Sequence, residues 1–166
     1  MSTRSQVIIK DQDSEQWFYR HSDGYPEGNM PILRKFIQLV RDGKIRNNVS
    51  QGSGWLTVLG MIEYQSMNPA WFPEFGQDSW KVKDSQVGQI LATLEPTNWK
   101  QGSYEPEGPG RHGDIEFIYI VDMNAGTVTG YETSWDDPEG LKDRQVCQDT
   151  PEKPWKGKSF YDELNN

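Results

Sequence analysis

Residues 114–133 read DIEFIYIVDMNAGTVTGYET. Two runs rich in β-branched and aromatic residues, 114–122 and 127–133, are separated by the turn residues Asn124 and Gly126. A short turn between two such runs is typical of a β-hairpin. We therefore predict two antiparallel strands here, the clearest strand pair in the chain.

The first strand of this hairpin is apolar on both of its faces. Because side chains alternate between the two faces of a strand, each face receives four residues, Ile115, Phe117, Tyr119 and Val121 on one and Asp114, Glu116, Ile118 and Ile120 on the other. The second face is polar only at its start. This pattern predicts a central strand that is covered on both sides, with two carboxylates emerging at one end.

A second hairpin is predicted near the start of the chain. The runs 7–9 and 17–19 are β-branched or aromatic, and the polar segment 11–15 lies between them. The second run leads into the loop 20–28, whose two glycines and one proline require a structured turn. A helix is expected to follow this loop.

Three helices are predicted between the two hairpins. The first begins with Asn29 as its cap and Pro31 in its first turn, and it ends at Gly43. The second begins after Ser53, and the third, which is weaker, begins at Asp84. Each has apolar residues at helical spacing, which predicts one face packed against the sheet.

These elements predict an α+β fold. We expect an antiparallel sheet of at least four strands, in the order ββ–ααα–ββ, with the helices packed on one face. Residues 1–133 are expected to form a single domain, and residues 134–166 a peripheral or partly disordered tail of that domain, because the tail has neither helical nor strand periodicity. Residues 97–113 contain no predicted element, and loops of that length are often functional.

The charge of the chain is acidic and unevenly distributed. The net charge is −8, which argues against binding to a phosphate backbone as the main role. The segment 95–140 has a large excess of acids over bases and accounts for the whole imbalance. Two interpretations stay open, a solvated surface and a docking face for a basic protein partner, for which the candidate residues are Glu105, Glu107, Asp114 and Glu116.

The sequence predicts a cytoplasmic protein without cofactors. No apolar run approaches the ~20 residues that cross a bilayer, and the first residues lack the apolar segment of a secretion signal. Cys147 is the only cysteine, so it has no partner for an intrachain disulfide. Its sequence neighbours offer no base or cation that would activate the thiol, which predicts an inert side chain. No metal site is expected.

The two histidines have similar sequence surroundings. His21 follows an arginine and precedes Asp23 by two positions, and His112 has the same relation to Asp114. Each lies at an end of a predicted strand beside a loop that contains glycine. If these strands are neighbours in one antiparallel sheet, the two histidines come together in a polar cluster. Its candidate ligand-binding residues are Arg20, His21, Asp23, Tyr25, Glu27, Arg111, His112, Asp114 and Glu116.

Three roles stay open for this cluster. It can order loops without any ligand, since a histidine at a strand end is often a structural, hydrogen-bonded residue. It can form a pocket in which Arg20 or Arg111 binds a small anionic ligand. The least favoured role is catalysis or metal binding, with His21 and His112 as general acid and base or as ligands of a divalent ion. The chain contains no motif specific to one reaction, so a binding role is expected ahead of an enzymatic one.

Three segments resemble small proteins of bacteria, prophages and phages. They are the opening 1–4, the loop 19–28 with the sequence YRHSDGYPEG, and the strand 112–119 with the sequence HGDIEFIY. Proteins of that group are similar in their opening, in a DGYPEG loop and in a strand headed by HGD. The resemblance implies no particular activity. It does imply an accessory or anti-defence role, in which a small acidic protein binds a host or defence component in the host cytoplasm.

Two functional hypotheses follow. In the first, the chain is a phage-type accessory protein that binds a basic protein partner through its acidic face. In the alternative, His21 and His112 form a small-molecule or nucleotide-binding pocket, with hydrolysis as its activity.

Overall fold

A computed structural model describes residues 2–66, 102–134, 136–137, 139–140 and 142–157. Its elements, in chain order, are β1 (Ser5–Lys10), β2 (Glu15–Arg20), α1 (Pro26–Arg41), α2 (Val49–Ser66), β3 (Glu105–Glu107), β4 (Phe117–Asp122), β5 (Thr127–Glu132) and β6 (Arg144–Asp149). The α+β class is therefore confirmed. Neither α1 nor α2 is long and apolar enough to span a bilayer.

The six strands form one mixed sheet in the order β3-β2-β1-β4-β5-β6. Both predicted hairpins are present, as the antiparallel pairs β1–β2 and β4–β5. β1 and β4, however, are parallel, with Ser5 opposite Phe117 and Lys10 opposite Asp122. The prediction of an entirely antiparallel sheet is wrong, because the hairpins meet through their first strands and these run in the same direction.

Two strands of the sheet lie where no element was predicted. β3 falls within the segment 97–113, and β6 falls within the tail after residue 134. β3 is short and contains Pro106, and β6 is a polar edge strand, so neither shows the apolar alternation of a half-buried strand. The order ββ–ααα–ββ is therefore wrong. The third predicted helix, from Asp84, lies outside the described residues.

Both described helices begin earlier than predicted. α1 starts at Pro26, because Gly28 and Asn29 already donate their backbone N–H groups to the carbonyl of Tyr25, and Pro31 lies inside the helix. The predicted end of α1 is confirmed, since Gly43 has a φ of +73°, which glycine adopts without strain.

α2 begins at Val49 instead of after Ser53, because Asn48 caps it and accepts the backbone N–H of Gln51 on its side-chain oxygen at 2.8 Å. The Asp11 carboxylate, in the turn between β1 and β2, accepts the backbone N–H of Val49 at 2.8 Å. Together with the N–H groups of Asp13 and Ser14, this bond lowers the pKa of Asp11. The stabilisation is present above the normal aspartate pKa and is lost as the pH falls through the lowered value.

The main core lies between the helices and one face of the sheet. Its largest fully buried side chains include Phe18 from β2, Phe36 from α1, Leu56 from α2 and Tyr119 from β4. A smaller apolar cluster of Ile8, Ile115 and Ile118, with Trp17, Tyr19 and Tyr131 packed against it, covers the opposite face. Ile115 was predicted on the face of Tyr119. It lies with Ile118 instead, because it precedes β4 and the strand alternation does not extend to it.

A buried ion pair joins the sheet to both helices. The side chains of Arg20 and Glu63 are 3% and 2% exposed, and they are directly hydrogen-bonded. Arg20 also donates to the Tyr104 hydroxyl at 3.2 Å, and that hydroxyl donates to the Asn29 side chain at 2.7 Å. Burial alone would lower the pKa of Arg20, but the Glu63 carboxylate and Tyr104 outweigh it and raise the pKa.

Removing one member of this pair should destabilise the protein more than removing both. The Arg20→Met variant leaves the Glu63 carboxylate buried without its cation and is expected to lower the free energy of unfolding by about 3–5 kcal/mol. The Arg20→Met/Glu63→Leu double variant should recover much of that loss. Urea denaturation of both variants checks this, and equal losses would contradict it.

Two glycines of α2 allow a matched test of helix packing. Gly54 is exposed and has open space where a Cβ would lie, whereas a Cβ on Gly60 would be 2.6 Å from Cδ2 of the buried Tyr104 ring and 3.1 Å from its backbone nitrogen. Gly54→Ala should therefore raise the free energy of unfolding by about 0.5–1 kcal/mol through helix propensity. Gly60→Ala should lower it. Thermal and urea unfolding measure both changes, and a stabilised Gly60→Ala variant would refute the close packing.

Candidate functional site

The sheet brings both histidines to the same end. β2 is antiparallel to β1, and β1 is parallel to β4, so the end of β2 and the start of β4 lie at the same end of the sheet. The two hairpins therefore lie side by side, as the sequence predicted, although β1 separates β2 from β4. His21 follows the end of β2, and His112 lies in the loop before β4.

Tyr19 joins the two histidines. Its hydroxyl is 3.0 Å from Nδ1 of His21. Its ring centroid is 5.0 Å from that of His112 and 6.1 Å from that of His21. Tyr19 lies on the sheet face opposite the helices, where Trp17 also packs. Tyr19 was not among the predicted site residues, although it lies near the end of β2, two residues before His21.

A ring of hydrogen bonds fixes His112. Its Nε2 is 2.7 Å from Oε2 of Glu107, and its backbone N–H donates to Oε1 of Gln6 at 3.0 Å. The Gln6 amide in turn donates to Oε1 of Glu107 and to the carbonyl of Gly110, both at 2.8 Å. Gln6 is completely buried in β1. We refer to Gln6, Tyr19, His21, Glu107 and His112 as the Tyr19 cluster.

The four predicted partner-binding acids, Glu105, Glu107, Asp114 and Glu116, lie at this end of the sheet and are called the acidic face. Glu105 is opposite Tyr19 in the β2–β3 ladder, and the N–H of Glu116 donates to the carbonyl of Arg4. Asp114 forms an ion pair of 2.5 Å with Arg4. Burial raises the pKa of Tyr19; Arg4 opposes this, and three members of the acidic face add to it.

Glu105 and Glu116 are the acids of this face that are free to contact a partner. Both are exposed, and neither carboxylate has a hydrogen bond or ion pair with another described residue. Glu107 is engaged by Gln6 and His112, and Asp114 is engaged by Arg4.

The two arginines proposed to bind an anion are both engaged inside the protein. Arg20 lies in the core on the helix side of the sheet, where it binds Glu63. Arg111 donates two hydrogen bonds to the Asp143 carboxylate, at 2.6 and 2.8 Å, and both side chains are mostly buried. The structure therefore separates Arg20 from the histidines and leaves Arg111 bound to a carboxylate.

The other predicted ligand-binding residues belong to the loop before α1. Asp23 has a φ of +57°, and its carboxylate accepts the Tyr25 hydroxyl at 3.1 Å. A Cβ on Gly28 would lie 2.0 Å from the carbonyl oxygen of Asp23, so the loop requires glycine there. Glu27 is exposed in the first turn of α1. The loop geometry accounts for the positions of Asp23 and Gly28 without a ligand.

No group of three or more His, Cys, Asp or Glu side chains among the described residues is arranged to hold a metal ion. Comparison of the chain with protein families, with curated proteins and with solved structures found no match.

The side chain of Cys147, on β6, is buried. A Cβ on Gly130 would lie 2.4 Å from its sulfur, which shows how closely the neighbouring strand covers it. Burial raises the pKa of the thiol to about 12. The thiolate that reacts with electrophiles is therefore scarce at neutral pH.

The folded protein should accordingly resist alkylation at Cys147. At pH 8, iodoacetamide is expected to react at least roughly 100-fold more slowly with the native protein than with the urea-unfolded chain. Mass spectrometry of timed samples measures both rates. Similar rates in the two states would show that the thiol is accessible in the native fold.

Proposed function

We propose that this protein is a non-enzymatic binding protein that captures a protein partner with a basic surface through its acidic face. The observation that carries the proposal is the distribution of free charge at the Tyr19 end of the sheet. The carboxylates of Glu105 and Glu116 are exposed and unpaired among the described side chains, whereas Arg20 and Arg111 are engaged by internal carboxylates. Such a surface favours a cationic partner.

The acidic face is suited to steering as well as to contact. Like charges gathered at one end of a sheet attract an oppositely charged surface over a distance of about a Debye length, ~10 Å at 0.1 M salt. Complementary charge raises the association rate and selects among partners more than it adds affinity. We accordingly expect partner capture to weaken with rising salt.

The resemblance to small phage and prophage proteins supports one class of partner. Small acidic proteins of phage type often bind a host or defence component, so we propose that the partner is such a protein and that the chain is a phage-type accessory protein. The uneven charge supports this proposal, because the acidic excess is concentrated in the segment 95–140, which includes the acidic face.

A second candidate function is a small-molecule site on the two histidines, with hydrolysis as its activity. It is favoured by the contact between Glu107 and His112, since a carboxylate that orients a histidine is the usual arrangement around a general base. The engagement of Arg20 and Arg111 favours the first proposal over an anionic ligand. A folded His21→Ala/His112→Ala variant that retains ligand binding and biological activity would eliminate this candidate.

Reversing the free charges should abolish partner capture. The Glu105→Lys/Glu116→Lys variant replaces the two exposed, unpaired acids, and it should lose at least roughly tenfold of the partner recovered from host lysate by the wild type. The matched control is Asp13→Lys/Glu152→Lys, which makes the same charge change at exposed positions near the other end of the sheet. Quantitative mass spectrometry compares the recovered proteins.

The control variant should recover the partner at close to the wild-type level. The amount that the wild type recovers should fall about tenfold when the salt is raised from roughly 0.05 to roughly 0.5 M. Undiminished capture by the Glu105→Lys/Glu116→Lys variant would remove the proposed function.

A further inference from the structure

His112 has one ring nitrogen whose role is fixed by its neighbours. A carboxylate accepts hydrogen bonds and donates none. The 2.7 Å contact between His112 Nε2 and Glu107 Oε2 therefore places the proton of the neutral ring on Nε2. Nδ1 is then an acceptor, and among the residues that the structure describes it has no hydrogen-bond partner. The side chain is 43% exposed.

Gln6 holds both the backbone and the ring of His112 in this arrangement. Its Oε1 accepts the His112 N–H, while its Nε2 donates to the carboxylate that receives the ring. The orientation of the amide is fixed, because Nε2 faces the two acceptors Glu107 and Gly110 and Oε1 faces a donor. A glutamine that is completely buried within a strand satisfies these groups without contact with water.

Three exposed groups at this end of the sheet accept hydrogen bonds and have no partner among the described residues. They are the carboxylates of Glu105 and Glu116 and Nδ1 of the neutral His112 ring, whereas the guanidinium of Arg4 is held by Asp114. A lysine ammonium is a compact point charge, whereas an arginine guanidinium presents several N–H donors in a planar fork that can reach more than one acceptor at once.

Resting on the proposed function, we propose that His112 is a specificity-determining residue of the acidic face, that it accepts a hydrogen bond from an arginine of the partner, and that Gln6 is the residue that positions it. Glu107 transmits this positioning to the ring. The acidic face attracts the cation, and His112 distinguishes arginine from lysine.

The tautomer of His112 tests the positioning without any partner. Long-range ¹H–¹⁵N spectra of the wild type should show the neutral ring of His112 with its proton on Nε2. The Gln6→Leu variant removes the hydrogen bonds from Gln6 to Glu107 and to the His112 backbone, so the Nδ1–H form of His112 should gain population. His21, which has no bond to Gln6, serves as the internal reference. An unchanged His112 spectrum in folded Gln6→Leu overturns the role of Gln6.

Peptide binding tests the specificity. Fluorescence anisotropy with labelled nona-arginine and nona-lysine peptides at low salt provides defined probes. The wild type should bind nona-arginine more tightly than nona-lysine, and His112→Ala should weaken nona-arginine binding about fivefold, the effect of one hydrogen bond, while leaving nona-lysine binding nearly unchanged. Gln51→Ala, an exposed change on α2, is the control and should match the wild type.

The outcomes separate this inference from the proposed function. If Glu105→Lys/Glu116→Lys abolishes binding but His112→Ala binds both peptides as the wild type does, the role of His112 is refuted and the acidic face stands. If charge reversal leaves binding intact, or if the wild type binds neither peptide, both proposals fail.

Discussion

The parallel pairing of β1 with β4 is the constraint on which the arrangement of this protein depends. β1 lies between β2 and β4. Its pairing with both strands brings the loop after β2 and the loop before β4 to the same end of the sheet. β1 also places Gln6 on one face and Ser5 on the other, where Ser5 accepts the Asn29 amide of α1. One strand therefore supports the Tyr19 cluster and the buried polar network at once.

The elements that sequence reasoning recovered are those specified by neighbouring residues. The two hairpins follow from strand alternation and turn chemistry. The end of α1 follows from Gly43, because a positive φ is a property of that one residue. Most errors arise where distant residues decide, as where the parallel ladder joins strands separated by both helices. The start of α2 is different, because its cap, Asn48, is a local signal in the sequence. Polar β6 is a strand only because β5 lies beside it.

The candidate site was predictable in its location but not in its connections. His21 and His112 were predicted to come together if their strands were neighbours; β1 lies between those strands, yet both histidines contact Tyr19. Gln6 could not be selected, because a polar residue in a strand normally faces solvent, and its burial depends on a loop more than a hundred positions away. Arg20 looked available for the same reason, since its partner Glu63 lies on α2.

Pro106 affects how the protein can associate with other chains. β3 forms one edge of the sheet, and unpaired edge strands are the usual starting points of fibrous polymers. With only three residues, and with a proline at the middle one that has no N–H to offer, β3 is a poor template for an incoming strand. The acidic face thus lies beside a sheet edge that is unsuited to strand addition. A partner that binds there has to be recognised through side chains instead of backbone hydrogen bonds.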